Sequence, residues 1–432
     1  MKPEPWAAVV VGAGPAGLMA ARTAAEGGLR VLLLDAQPTP GGQIWRGAAA
    51  GQQGAAGELL RDVASHSGIT VLSGAEIIAA EAGGQAHTLT VTTAAGTTAA
   101  GLRQIQAERV ILATGATERF LPFDGWTLPG VVGAGGLQAM SKSGLDVRGQ
   151  RVVVAGSGPL LLAVAAGLRQ KGARVLAVAE QAGWPGVAAF GMAAARLPGK
   201  SREALALAAG LLGVPYWADC AVVRASGADQ LQSVTLRRGR RELTLDCDYL
   251  AVGFGLVPDT RVAALLGCPL DDVGAVRVNA WQATGVSGVY AAGEVCGIGG
   301  VDGALLEGFV AGCAASGQIE RLHDAPRRAE IQRRFQITLE RSFALRPALL
   351  PMPSPQTIVC RCEDVRHGDL RGFTDWTAAK LQTRCGMGAC QGRVCGPACD
   401  TLYGWRFEGV RAPLVPLPLA QLLDEPTTLS PP

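Results

Sequence analysis

Six of the eleven cysteines fall between positions 360 and 399. Cys360 and Cys362 are one residue apart in IVCRCEDV, and Cys385, Cys390, Cys395 and Cys399 follow in TRCGMGACQGRVCGPACD. Thiolates at this density exceed what a four-sulfur site requires, whether it holds an iron–sulfur cluster or a structural zinc ion. Gly386, Gly388, Gly392 and Gly396 leave backbone N–H groups free to point at sulfur, which stabilises the charge of a cluster and tunes its potential. The CxC spacing favours iron–sulfur, because structural zinc sites more often pair CxxC, yet the donor chemistry leaves zinc open. The other five cysteines, Cys220, Cys247, Cys268, Cys296 and Cys313, are scattered singly, so no disulfide framework is expected.

Glycine spacing points to a second chemistry. Gly12, Gly14 and Gly17, with Pro15 and Ala16 between them, form GxGxxG directly after the apolar run AAVVV, and Asp35 closes the next apolar run roughly 20 residues on. Gly12 permits the tight turn, Gly14 lets backbone approach a pyrophosphate, and Gly17 lets helix and strand pack closely. The helix N-terminus attracts the phosphates, and Asp35 is placed to accept hydrogen bonds from a ribose. The pattern recurs in RVVVAGSGPLLLAVAAGLRQKGARVLAVAEQ, where Gly156, Gly158 and Glu180 keep their places but Leu161 replaces the third glycine. Two readings stay open there: a functional adenine-nucleotide site, in which Glu180 favours NAD over NADP, or a scaffold that holds no nucleotide.

The elements that position these residues follow from the pattern. Each glycine turn joins a buried strand to a helix and a second strand, so the chain is α/β and internally duplicated. RVILATGATERF carries a strand into Thr114 and Gly115, DYLAVGFGLVPD does the same after the second unit, and GVYAAGEVCGIGG ends a strand at Gly293 and Glu294. RRAEIQRRFQITLERSF reads as a charged helix with a solvated face, its basic residues offering a second reading as a docking surface, and RPALLPMPSPQ as a proline-rich linker. The expected organisation is a discontinuous first domain at 1–120 and 250–335, a nucleotide-binding domain at 121–249, a helix and linker at 336–356, and a cysteine domain with its extension at 357–432.

Composition sets the bounds. The 432 residues are 48% hydrophobic and 17% charged with a net charge of +3, which excludes a disordered chain and a nucleic-acid footprint. Glycines interrupt the apolar run from Trp6 to Ala21, against a secretory signal, and no uncharged apolar run of about 20 residues suggests a transmembrane segment. A soluble, cytoplasmic protein is expected. His66, His87, His323 and His367 stand alone in polar stretches and are expected to be solvated. Neither nucleotide unit has a CxxC beside it, which argues against dithiol exchange.

GAGPAG with Asp35, GGQIW, ATG at 113–115, the central GSGP and AAGE at 291–294 resemble the two-dinucleotide-domain flavoproteins related to glutathione and thioredoxin reductases. The resemblance implies FAD in the first site, with Gly42 and Gln43 toward the flavin, Thr114 and Gly115 at the phosphates, and Gly293 with Glu294 at the ribityl chain. The cysteine segment resembles the [2Fe-2S] domain of bacterioferritin-associated ferredoxin, a small helical domain, which implies Cys360, Cys362, Cys390 and Cys395 as ligands and sets Cys385 and Cys399 aside. Together the two parts resemble the flavoprotein subunit shared by opine oxidases, hydrogen cyanide synthase and hydroxyproline dehydrogenases. That resemblance implies an amino-acid-oxidase-like partner subunit, with a small ferredoxin-like subunit as a further option, and electrons relayed through FAD and the cluster to a respiratory acceptor. Hydroxyproline, opines, proline and glycine are the implied donors, and peripheral association with the inner membrane would come through partners. Two rivals remain: a self-contained NADH-dependent flavin reductase, and a metal-binding assembly module without turnover.

Overall fold

The computed structural model describes residues 4–47, 54–93, 101–197, 199–350, 353–406, 409–423 and 426–431. The continuous apolar runs become fully buried strands: Ala8–Val11 and Val31–Asp35 expose no face, as strands of a parallel sheet covered on both sides must. From edge to edge the first sheet runs Ile69–Ser73, Val31–Asp35, Ala8–Val11, Val110–Leu112 and Val289–Ala291, all parallel. A second parallel sheet runs Tyr216–Trp217, Arg174–Glu180, Arg151–Gly156, Tyr249–Gly253 and Val131–Gly133. Each sheet has an antiparallel meander associated with it, Ala75–Glu81, His87–Thr93 and Gly101–Ala107 in one case and Cys220–Ser226, Ser233–Arg238 and Arg241–Asp246 in the other. The duplication legible in the glycine turns therefore extends to whole α/β layers.

Residue contacts divide the chain into two units, 1–117 with 257–334 and 409–432, and 118–256 with 335–408. In the first unit, helix Pro15–Glu26 packs on helix Gly300–Ser316 at backbone distance: a Cβ on Gly308 would stand 2.2 Å from the Ala16 carbonyl oxygen, and one on Gly312 would stand 2.7 Å from Thr23 Cβ. Glycine inside a helix costs about 1 kcal/mol relative to alanine, and this close approach is what offsets it. The end of the chain joins the same unit. Strand Thr427–Thr428 extends the first meander, and Trp6 Nε1 donates to the Leu429 carbonyl at 3.1 Å.

In the second unit the cysteine-bearing segment is docked on the loop that precedes the parallel sheet. Asp124 accepts hydrogen bonds from Ser354 Oγ at 2.8 Å and from Thr357 Oγ1, and Trp126 Nε1 donates to the Ile358 carbonyl at 2.6 Å. The Arg361 guanidinium lies 5.3 Å from the centre of the Trp126 ring. Within the proline-rich linker, residues 351–352 lie outside the described residues. Helix Ala325–Ser342 is largely exposed, with pairs such as Arg334 to Glu330 at 2.7 Å on its surface. Among the described residues no helix is long and apolar enough to cross a membrane.

Candidate dinucleotide cradle and cysteine nest

The three glycines of the first turn are glycines for different reasons. Gly12 has φ +102°, and a Cβ there would stand 2.3 Å from the Ala113 carbonyl oxygen. A Cβ on Gly17 would stand 1.8 Å from the Gly12 carbonyl oxygen. Both are required by the fold. Gly14 is not: its φ of −76° suits any residue, and the nearest protein atom to its Cβ position is Gly42 Cα at 4.0 Å. Among the described residues none beyond its chain neighbours comes closer than this to the Cβ position of Gly14, which stands at the N-terminus of helix Pro15–Glu26, where the dipole favours an anion, so the residues present fit a bound pyrophosphate.

The surrounding residues hold that cradle in shape. Asp35, 7% exposed, accepts from the Ala13 N–H at 2.6 Å and the Gln37 N–H at 2.7 Å. Burial pushes its carboxyl up, against the lowering effect of those two donors and of Arg46. Asp35 thus braces the turn and still has lone pairs for a ribose. Gly42, at φ +60°, brings a second backbone against the turn, where its Cβ would stand 2.9 Å from Gly14 Cα. Gln43 is exposed and accepts from Arg46 Nη2 at 3.0 Å. Thr114 Oγ1 donates to the Asp259 carbonyl at 2.6 Å, and Gly115, at φ +73°, accepts from the Asp259 N–H at 2.9 Å. Gly293 and Glu294 lie at the end of strand Val289–Ala291, and burial raises the Glu294 carboxyl.

Sequence reasoning misses several residues of this region. Glu307 accepts from the Gly293 N–H at 2.7 Å, and burial pushes its carboxyl up to about 7, with the nearby Glu294 adding to the rise. An acid inside the small-residue helix ALLEGFVAG is the available signal. Asp259, which holds Thr114, is itself gripped by Arg261 through bonds of 2.8 and 2.7 Å. The expectation that all four histidines are solvated is corrected for His87, which is only 2% exposed because the alternation of strand His87–Thr93 turns it inward with Leu89 and Val91.

In the central unit Gly156, at φ +141°, is demanded by the fold, since its Cβ would stand 1.8 Å from the Gly253 carbonyl oxygen. Leu161 turns into the core, 1% exposed, over the bare Cα of Gly253. Glu180 is 1% exposed, and its two carboxylate oxygens accept from the Gly158 N–H at 3.0 Å and the Ala182 N–H at 2.8 Å. Burial raises it to about 7, although these donors pull the other way.

The cysteines form one nest. The Sγ atoms of Cys360, Cys385 and Cys395, all buried, lie within 4.8 Å of one another. Cys390, half-buried, is in hydrogen-bonding reach of Cys395 and of the exposed Cys362, and Cys399 reaches Cys385. Of the four expected ligands, Cys360 and Cys395 share this cluster with Cys385, set aside on resemblance, while Cys362 and Cys390 lie at its more exposed side. Glycines make the approach possible: a Cβ on Gly388 would stand 2.2 Å from Cys362 Cβ, and one on Gly386 would stand 2.5 Å from the Trp376 ring. Arg384 Nε donates to Glu363 at 2.7 Å and ties the glycine-rich loop to the CxC turn. The Gly386 N–H reaches Cys360 Sγ at 3.5 Å. Donors from Cys385 and Cys395, with that amide, hold Cys360 far below the usual thiol range, and Cys395 chiefly holds Cys390 down, at about 5. An all-sulfur donor set with backbone N–H groups aimed at it fits a thiolate-held iron–sulfur cluster, and it also fits zinc.

The pyridine nucleotide-disulphide oxidoreductase family matches residues 6–328, which include both glycine turns, Thr114 and Glu294. The chain belongs to that family. Two of its relatives match it along nearly their whole length. An opine oxidase subunit from Rhizobium meliloti is 33% identical over 97% of this chain and 98% of its own. The HcnB subunit of hydrogen cyanide synthase from Pseudomonas aeruginosa is 32% identical over 95% of this chain and 97% of its own. The fold resembles the solved L-proline dehydrogenase from P. horikoshii, with a TM-score of 0.67 at 18% identity over 98% of this chain and 80% of that one. The protein is an oxidoreductase of flavoprotein type, and FAD is the dinucleotide this membership supports for the first cradle.

Proposed function

We propose that this chain is the FAD and [2Fe-2S] subunit of a heteromeric amino-acid or amine dehydrogenase, in which a partner subunit oxidises the carbon–nitrogen bond of the substrate. The observation that carries this reading is likeness along nearly the whole length, cysteine segment included, to two proteins that are themselves named as subunits of oxidising enzymes. Bound flavin supplies the ability to take up an electron pair and pass electrons singly, and a thiolate-held cluster supplies a one-electron carrier.

The chain's own residues do the rest. Helix Pro15–Glu26 and Gly14 seat the pyrophosphate, Asp35 addresses the ribose, Gly42 and Gln43 border the flavin side, and Thr114 with Gly115 closes on the phosphates. Gly293 and Glu294 address the ribityl chain, and Glu307 holds the Gly293 amide so that the turn keeps its form. Cys360, Cys362, Cys390 and Cys395 hold the cluster. A hydroxyproline-type secondary amine is the favoured donor class, with opines, proline and glycine as the others, and a respiratory carrier is the acceptor.

The test is purification of a tagged chain from its native cell. The preparation is expected to carry flavin and iron together with a second polypeptide, and to oxidise an amino acid only when that polypeptide is present. Zinc without iron in oxygen-free material, or turnover of an amino acid by this chain alone, overturns the proposal.

A further inference from the structure

In open α/β sheets, nucleotides bind in the crevice beyond the carboxyl ends of the strands. In the central unit three adjacent strands, Arg151–Gly156, Arg174–Glu180 and Tyr216–Trp217, end at that crevice, and Ser157, Gln181 and Asp219 lie just beyond them. Each of these residues is already bonded to one short segment of the chain itself. Ser157 Oγ donates to the Phe343 carbonyl at 2.9 Å. Gln181 Nε2 donates to the Arg346 carbonyl at 3.2 Å, while Arg346 Nη1 donates back to the Gln181 carbonyl at 3.4 Å and to the Asp219 carboxylate. The Phe343 ring packs edge-on against Phe190 at 5.1 Å, and Gly186 lets Ser342 approach so closely that a Cβ there would stand 2.6 Å from its carbonyl oxygen.

We propose that residues 343–346 are the built-in occupant of the central dinucleotide crevice, so that this fold takes no NAD(H) in the intact protein. The segment meets the groups a dinucleotide would otherwise meet: the serine of the glycine turn, the residue after the acidic strand end, and the end of the next strand. Beside it Ser157 is 6% exposed and Gln181 2%, and the neighbouring Glu180 is 1% exposed, so its carboxylate is closed to solvent. The closed crevice is independent of the substrate and of whatever the cysteine nest holds.

Two measurements on the full chain, with its first site saturated by FAD, test it. NADH fluorescence titration is expected to show no saturable binding, and binding that ADP-ribose displaces would overturn the proposal. Amide exchange read on peptides covering 155–162 and 180–183 is expected to be slow, and about tenfold faster in Arg346→Ala and Phe343→Ala, whose side chains lie at the surface or half-buried. Equal exchange in the original chain and both variants would show that the segment covers nothing. If these results hold while amino-acid oxidation fails, the fault lies with the proposed function and not with the closed crevice.

Discussion

Gly14 separates what a ligand requires from what the fold requires. Gly14→Ala meets no protein atom closer than 4.0 Å at φ −76°, so the apoprotein should melt as before. The methyl group instead intrudes on the proposed seat of the pyrophosphate, and overpacking of this kind costs about 1–3 kcal/mol, or roughly 5- to 150-fold in FAD affinity. Isothermal titration of the apoprotein with FAD measures it, and unchanged affinity would remove Gly14 from the site. Gly17→Ala provides the contrast, because its Cβ would overlap the Gly12 carbonyl and should lower stability with or without FAD.

Glu180 makes a second prediction at this scale. Burial raises its carboxyl from 4.5 to about 7, so between those values the folded chain binds more protons than the unfolded one. Stability from this group is fully present below about 4.5 and is lost as pH rises through about 7, an effect of about 3 kcal/mol. Glu180→Gln should flatten the fall in denaturation midpoint between about pH 5 and roughly 7.5, whatever it does to the midpoint itself. An unchanged slope would mean that Glu180 titrates as an exposed acid.

At the scale of elements, the glycine turns and their strands are legible because local patterns encode them. Apolar runs, a glycine turn and a terminal acid recur at both Gly12 and Gly156, and both become parallel sheets. His87 looks solvated from its polar neighbours alone, and only the alternation running back from Leu89 and Val91 places it inside. The packing of 335–408 with the central unit is not legible at all. It depends on Asp124 and Trp126, single loop residues whose partners Ser354 and Ile358 lie 230 and 232 positions away, and no periodicity links such pairs. The nest is legible as a donor set, but the place of Cys385 depends on how Gly386 and Gly388 fold the loop back.

That long-range latch can be tested. Asp124→Ala removes the carboxylate that the Ser354 and Thr357 hydroxyls share and leaves them only each other, so at least one loses its acceptor, and Thr357 is only 5% exposed. Loss of such an acceptor costs about 1–3 kcal/mol. With the proposed iron–sulfur cluster and FAD bound, the midpoint at which denaturant bleaches the cluster absorption should therefore fall, with the first unit's flavin transition moving less. Coincident shifts of both signals would mean that the latch does not belong to the second unit alone.

For the whole molecule, the question is where electrons enter. The residues of the first glycine turn fit a flavin dinucleotide, while Ser157 and Gln181 of the central unit are bonded to Phe343 and Arg346 of the chain itself. The sequence offers no CxxC beside either turn, which argues against entry by dithiol exchange, and the proposed occupation of the central crevice by residues 343–346 argues against entry by a nicotinamide nucleotide. The proposed function has the donor arrive through a partner subunit, in keeping with relatives that are named as subunits. Anaerobic mixing discriminates these routes. NADH in excess should leave the flavin absorbance near 450 nm (approximately, for any oxidised flavin) unchanged over minutes, whether or not the partner is present. An amino-acid donor should bleach it only when the partner is present. Bleaching by NADH within the mixing time would place the entry point in this chain and revive a self-contained reductase.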